Sequence, residues 1–116
     1  MALVCPVATA NAIATSAAAL GSTFGLHTGS PGPAGTANEA TGGSYARQTA
    51  TPGTAALGVV AWSQMTFPVA ANTYTHMTRW NGSTLVEVID NPDIIISPSG
   101  EAKVNHKVTI PYALPA

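Results

Sequence analysis

Thr73-Tyr74-Thr75-His76-Met77-Thr78-Arg79-Trp80-Asn81-Gly82-Ser83-Thr84-Leu85-Val86-Glu87-Val88-Ile89 is the stretch that decides the fold class. Thr73 and Thr75 alternate with Tyr74 and His76, the period of a strand with two different faces. Strand character resumes at Thr84. Between them, Asn-Gly is the pair that most readily supplies the two positive-φ positions of a tight type I′ turn. The segment therefore predicts a β-hairpin with Asn81-Gly82 at its tip. Tyr74, His76, Thr78 and Trp80 share one face of the first strand.

Working outward, the rest of the chain punctuates in the same way. Tyr45 to Thr51 and Gly58 to Phe67 read as strands, the second closed by Pro68. After the hairpin, Asp90-Asn91-Pro92-Asp93 and Ser97-Pro98-Ser99-Gly100 read as turns on either side of a short apolar strand, Ile94 to Ile96. Ala102, Val104, His106, Val108 and Ile110 then alternate with Glu101, Lys103, Asn105, Lys107 and Thr109, a half-buried strand. Residues 111–116 form an extended tail between Pro111 and Pro115. On the N-terminal side, Thr23 to Thr28 is a strand with Phe24 and Leu26 on one face. Residues 29–44, opening Gly29-Ser30-Pro31-Gly32-Pro33, are a loop or an arm reaching a neighbouring subunit. Within the different N-terminal segment 1–25, the alanines from Thr9 to Leu20 predict one short helix. Thr9 or Asn11 would cap its start, Gly21 would end it, and Ile13, Ala17 and Leu20 would form its docking face. The expectation is a single domain over 1–116: mainly β, an antiparallel β-sandwich or jelly-roll-like barrel with one short N-terminal helix.

Charge narrows the function. Only 8% of residues are Asp, Glu, Lys or Arg, and the net charge is −1, against roughly 25% charged residues in an average soluble protein. The polar surface must come from the 15 threonines, serines, asparagines and backbone, with 21 alanines among them. Such a surface suits packing against other subunits. Arg47, Arg79, Lys103 and Lys107 are too few and too scattered for a phosphate-binding face, so no nucleic-acid partner is expected. Cys5 is the single cysteine, which excludes an internal disulfide and fits a reducing compartment. Met1 to Gly25 lacks the basic start and apolar block of a secretory signal, and no stretch is apolar enough to span a bilayer.

The residues that could carry chemistry are sparse. His27, His76 and His106 would have to converge to hold a metal, and a neutral, hydrogen-bonded role in a core or interface is the simpler expectation for His106. Asp90 and Asp93 flank Pro92, where aspartate serves the turn. No nucleophile elbow or phosphate-binding glycine loop occurs, and Cys5 has no local activating base. Trp62, Trp80, Tyr74 and Tyr112 could stack on sugars or fill a core and an interface. No catalytic, cofactor-binding or metal-ligating residue is expected.

One long pattern remains. Leu26-His27-Thr28-Gly29-Ser30-Pro31-Gly32, then Gly35-Thr36-Ala37-Asn38-Glu39, then Gly42-Gly43-Ser44-Tyr45-Ala46-Arg47-Gln48 resembles a recurring arrangement in a family of bacteriophage virion structural proteins. Thr66-Phe67-Pro68, Thr75-His76 and Trp80 continue the resemblance, and the Ala-rich helix precedes it. Members are usually described as minor tail, fibre or structural proteins, and the family supplies no catalytic residues. This chain departs from the family's Gly-Leu-Trp-Asp by carrying Thr78-Arg79-Trp80-Asn81.

The resemblance implies a virion component, assembled in the host bacterial cytoplasm. Small size and low charge point first to a capsid decoration or minor capsid protein bound to the major capsid protein. The alternative is a minor tail, tail-tip or tail-fibre protein with tail proteins as partners, and a carbohydrate-binding module is a third class. A homo-oligomer is expected, with a trimer suited to three-fold sites. The expected subunit contacts are Pro31, Pro33, Asn38, Glu39, Tyr45 and Arg47 in and after the loop, and Pro111, Tyr112 and Leu114 in the tail.

Overall fold

The computed structural model describes residues 3–41, 44–69, 72–97 and 100–115. Its largest element is a four-stranded antiparallel sheet in the order β3-β2-β6-β7, built from β2 (Thr23–His27), β3 (Gln48–Thr49), β6 (His76–Asn81) and β7 (Thr84–Asp90). A second antiparallel sheet, β5-β9-β8, joins β5 (Met65–Pro68), β8 (Asp93–Ser97) and β9 (Glu101–Asn105). β4 (Val59–Ala61) pairs with β10 (Lys107–Thr109). The protein is mainly β with one short helix. Phe24, Leu26 and Met77 of the first sheet share one core with Met65, Phe67, Ala102 and Val104 of the second and with Val60 and Trp62. This is the inner-face packing of a sandwich.

The decisive hairpin forms, with a different turn. Asn81 stays in the strand and pairs with Thr84, which leaves Gly82-Ser83 as the two-residue loop. Gly82 has φ +59, while Asn81 and Ser83 do not adopt positive φ. Glycine at the first loop position is the type II′ arrangement rather than the type I′ expected for Asn-Gly. The type I′ pattern occurs elsewhere. Leu57 and Gly58 have φ 51 and 76, and Ala56 and Val59 exchange both backbone hydrogen bonds at 3.0 and 2.9 Å. The register of β6 on β7 also shifts between Arg79 and Trp80, so Arg79 pairs with Glu87 while Trp80 pairs with Leu85. This β-bulge leaves Val86 without a partner residue and resets which side chains face each other.

Other boundaries move for physical reasons. The expected strand at 58–67 divides into β4 and β5, and the one at 101–110 divides into β9 and β10, because each half joins a different partner. The side-chain alternation survives the second break: Ala102 and Val104 are fully buried, and His106, Val108 and Ile110 are half-buried. Of the strand expected at 45–51, only β3 forms. The tail is not free. β1 (Leu3–Val4) and β11 (Tyr112–Ala113) pair in parallel, an exception to the antiparallel pattern.

Helix α1 (Val7–Ala18) begins at Pro6 with no side-chain cap, so neither Thr9 nor Asn11 caps it. Asn11 instead accepts the Gly58 backbone N–H at 2.8 Å. The buried face is Ala10, Ala14 and Ala18, not Ile13, Ala17 and Leu20; Ile13 and Leu20 are exposed. Alanine methyls at four-residue spacing let the helix lie close against β4 and β10, where larger side chains would hold it away. Gly21 does not end the helix in the left-handed conformation; it lies against the Trp80 carbonyl.

Candidate functional site

β2 and β6 are buried on both faces, and each face carries a polar cluster. The register places Gly25 and His27 opposite Thr78 and His76 on one face, and Phe24 and Leu26 opposite Arg79 and Met77 on the other.

The first cluster fastens the Gly/Pro loop to the sheet. Residues 37–40 run along the β2 edge as a broken strand: Thr28 N–H donates to the Asn38 carbonyl at 2.9 Å, and Ala40 N–H to the Leu26 carbonyl at 2.8 Å. Asn38, with φ 60, bends the chain between these bonds. Glu39 is then held over Gly25. Arg47 grips its carboxylate with two hydrogen bonds, Nε and Nη2 each at 2.9 Å, and the Tyr45 hydroxyl donates to it at 2.7 Å. That hydroxyl also accepts Leu26 N–H at 3.1 Å. Glycine at residue 25 leaves room for this network, because a Cβ there would lie 2.7 Å from the Glu39 carboxylate and 3.1 Å from the Tyr45 hydroxyl and would push them aside. The Arg47 guanidinium also covers the Trp80 ring, 4.1 Å from its centroid.

His27 continues this network and its tautomer follows from its partners. Nδ1 lies 2.8 Å from the Ala37 carbonyl, which can only accept, so Nδ1 carries the proton. Nε2 therefore accepts from the Thr78 hydroxyl at 2.9 Å. Thr78 Oγ1 in turn accepts Trp80 Nε1–H at 2.7 Å. Burial holds the His27 pKa below its ordinary value, so the ring is neutral. Glu39 is held below the usual carboxylate range by the Arg47 hydrogen bonds, and Tyr45 is pushed up by burial and by its bond to Glu39.

The second cluster lies between the sheets at the end of the helix. Arg79 donates through Nε to Glu87 at 2.6 Å and through Nη1 to the carbonyls of Ala17 at 2.9 Å and Gly21 at 3.0 Å. A cation at a helix C-terminus meets the unsatisfied carbonyls there. Glu87 also accepts His106 Nε2 at 3.0 Å. Burial alone would raise the Glu87 pKa, but the bonds from His106 and Arg79 outweigh it and hold the carboxyl low. Trp62 stacks on His106, has Arg79 5.1 Å from its ring centre and donates Nε1–H to Ser22 at 3.1 Å. A cleft of about 380 Å³ opens beside this cluster, between Trp62, Ile89, Asn91, Asn105, His106 and Lys107.

These clusters redefine several expected sites. Trp62 and Trp80 are 5% and 4% exposed, so neither presents the open indole face that sugar stacking uses. Among the described residues, no buried side-chain nitrogen or oxygen lacks a hydrogen-bond partner. The two groups of expected subunit contacts separate. Pro31 is fully buried in its own chain, and Glu39, Tyr45 and Arg47 are held by one another; Pro33 and Asn38 are exposed. The 29–44 segment forms a loop that docks on its own sheet, with residues 42 and 43 outside the described residues. In the tail, Pro111 is exposed, Tyr112 half-buried and Leu114 69% exposed. Sequence reading did not anticipate Arg79, Glu87 and Trp62 as partners. The available signal was an arginine on the same strand face as Met77.

Residues 7–88 match the family described as Podophage GP4 fiber I protein gp80. The chain belongs to this family. The match takes in α1, the whole first cluster and the hairpin up to Val88, and stops short of His106 and β8 to β11. No curated protein and no solved structure matches the chain. Membership in the gp80 family makes the protein a phage virion structural protein of fibre type. This agrees with the virion resemblance and supports the fibre alternative over capsid decoration.

Proposed function

We propose that this gp80-family chain is a non-enzymatic structural subunit of a podophage tail, in a fibre or at its attachment, with tail proteins and further copies of itself as partners. The family match carries the reading. The two clusters are consistent with it: their arginines, glutamates, histidines and tryptophans are engaged in holding a loop and a helix on the sheets. Side chains spent in this way give rigidity to a small domain that must transmit load, and they are not free to act on a substrate.

Quantitative mass spectrometry of purified virions, together with immunogold labelling, tests the assignment. The expected result is a copy number far below that of the major capsid protein, with gold at the tail vertex. Copies comparable to the major capsid protein with label over the whole shell would restore the decoration reading. Absence from the particle would end both.

A further inference from the structure

The Asn81-Gly82 dipeptide, expected to form the hairpin turn, does not serve the turn as a pair. Asn81 belongs to β6, and Gly82 alone takes the positive φ. Asn81 therefore sits in the last strand pair, opposite Thr84, and residues 81–84 are all exposed. Among the described residues, neither the Asn81 carboxamide nor the Gly82 N–H has a hydrogen-bond partner. A Cβ built on Gly82 would meet nothing within 4 Å, so the backbone there is open to solvent.

Asparagine is a thermolabile residue, and the residue that follows it controls how readily it reacts. The backbone nitrogen of that neighbour can attack the side-chain carbonyl carbon, and any side chain on the neighbour crowds the ring that forms. Of the six asparagines, Asn81 alone precedes glycine. Ala12, Glu39, Thr73 and His106 follow Asn11, Asn38, Asn72 and Asn105, and Pro92 after Asn91 has no N–H to lose. Two of the other amides are also tied down: Asn11 accepts Gly58 N–H at 2.8 Å, and Asn38 donates to the Ser30 carbonyl at 2.9 Å. Asn81 combines the least hindered neighbour, an unbonded backbone nitrogen and an unrestrained side chain. It also lies at the end of a hairpin, where local opening costs little.

We propose that Asn81 is a modification site, deamidated spontaneously with water as the co-reactant. Gly82 N gives up its proton and attacks Asn81 Cγ. The Cγ–Nδ2 bond breaks, Nδ2 leaves as ammonia, and a five-membered succinimide joins the two residues. Water then opens the ring at either carbonyl. Opening at Cγ leaves an ordinary aspartate at position 81. Opening at the backbone carbonyl leaves an isoaspartate, whose main chain runs through the former side chain. Both products add one negative charge to a chain whose net charge is −1. The isoaspartate also inserts an extra carbon into the backbone next to the Trp80–Leu85 pair, at the strand end that holds Trp80 beneath Arg47. A virion protein is not replaced once its particle is assembled, so the products build up with particle age. That consequence rests on the virion assignment, whereas the reaction itself is tested on the isolated chain.

The experiment incubates the folded full chain in mildly alkaline buffer and follows it by anion-exchange chromatography. Peptide mapping by tandem mass spectrometry locates each conversion, and enzymatic isoaspartate methylation counts the isoaspartate. A more acidic species should accumulate with time, map to Asn81 and contain isoaspartate, while the other five asparagines stay intact over the same period. The isoaspartyl fraction should melt at a lower temperature than the starting protein. Asn81→Gln, whose longer side chain would have to close a larger ring, should abolish the acidic species and keep the melting temperature. Conversion that appears first at Asn72 or Asn105 overturns the proposal, as does an acidic species that persists in Asn81→Gln. An Asn81 that stays intact in the folded protein and reacts only in denaturant also overturns it, because the hairpin would then protect the site instead of exposing it. The wild-type map decides this even if the variant fails to fold.

Discussion

The two clusters use the same four kinds of side chain on opposite faces of one sheet. Arg47, Glu39, His27 and Trp80 fasten the loop; Arg79, Glu87, His106 and Trp62 fasten the helix. In each, an arginine bonds a glutamate and lies over an indole. Their depth differs. The Arg47 side chain is 29% exposed and Arg79 only 4%. If its glutamate is lost, Arg47 can turn to water, whereas Arg79 would remain a buried charge with only backbone carbonyls and the Trp62 ring to satisfy it. The same ion pair is therefore an adjustable fastening on one face and a structural requirement on the other.

Breaking the deeper pair should have the largest effect. Glu87→Ala leaves Arg79 buried without a counter-charge, and denaturant unfolding should show a loss of about 3–5 kcal/mol. A loss below about 1 kcal/mol would mean that the carbonyls and the ring suffice, and the contrast between the clusters would disappear. His27→Ala comes next, at about 2–3 kcal/mol, since it opens a cavity and orphans the Ala37 carbonyl and the Thr78 hydroxyl. Arg47→Ala should cost only about 1 kcal/mol, the sum of a partly exposed ion pair and one cation–π contact. Amide hydrogen exchange should then show faster exchange at Ala40 while the helix keeps its protection. Equal loss at both places would mean that the clusters fold as one unit.

The smallest effect, and the one that separates the clusters by pH, comes from His27. Its native pKa lies below the ordinary 6.5, so the unfolded chain binds this proton more readily. The stability it contributes is complete above 6.5 and is lost progressively as pH falls from there toward the lowered native value. Glu39 and Glu87, both held below 4.5, contribute stability present above 4.5 and lost as pH falls through their lower native values. A stability profile should decline gently below 6.5 and more steeply below 4.5. The gentle part should shrink in His27→Gln, and its persistence there would assign the titration to another histidine.

The members of the first cluster lie close together in the chain, yet the sequence reading placed Glu39, Tyr45 and Arg47 at subunit contacts and not on one another. His27, Glu39, Tyr45 and Arg47 fall within one motif, separated by glycines and prolines that force the chain to double back. The second cluster forms no such motif. His106 and Trp62 are far from Arg79 in sequence, and the expected Asn81-Gly82 turn would have paired Arg79 with Thr84. The bulge after Arg79 and the turn at Gly82-Ser83 bring Glu87 opposite it instead. A local register change thus hid a tertiary ion pair. The helix face was misread for a related reason: the largest apolar side chains, Ile13 and Leu20, were expected inside, but the space beneath α1 admits only alanine.

The sequence by itself determined that this is a β-rich domain with an alanine helix, a central hairpin and very few charges, because strand alternation, turn chemistry and composition are local properties. It also carried the phage resemblance through one contiguous motif. Tertiary structure alone decided which faces were buried, which glutamate met which arginine, and that Gly58 packs against Ala10 and Tyr112. Those outcomes depend on how strands pair across long stretches of chain and on how much room each contact leaves, and neither is written in any single window of residues.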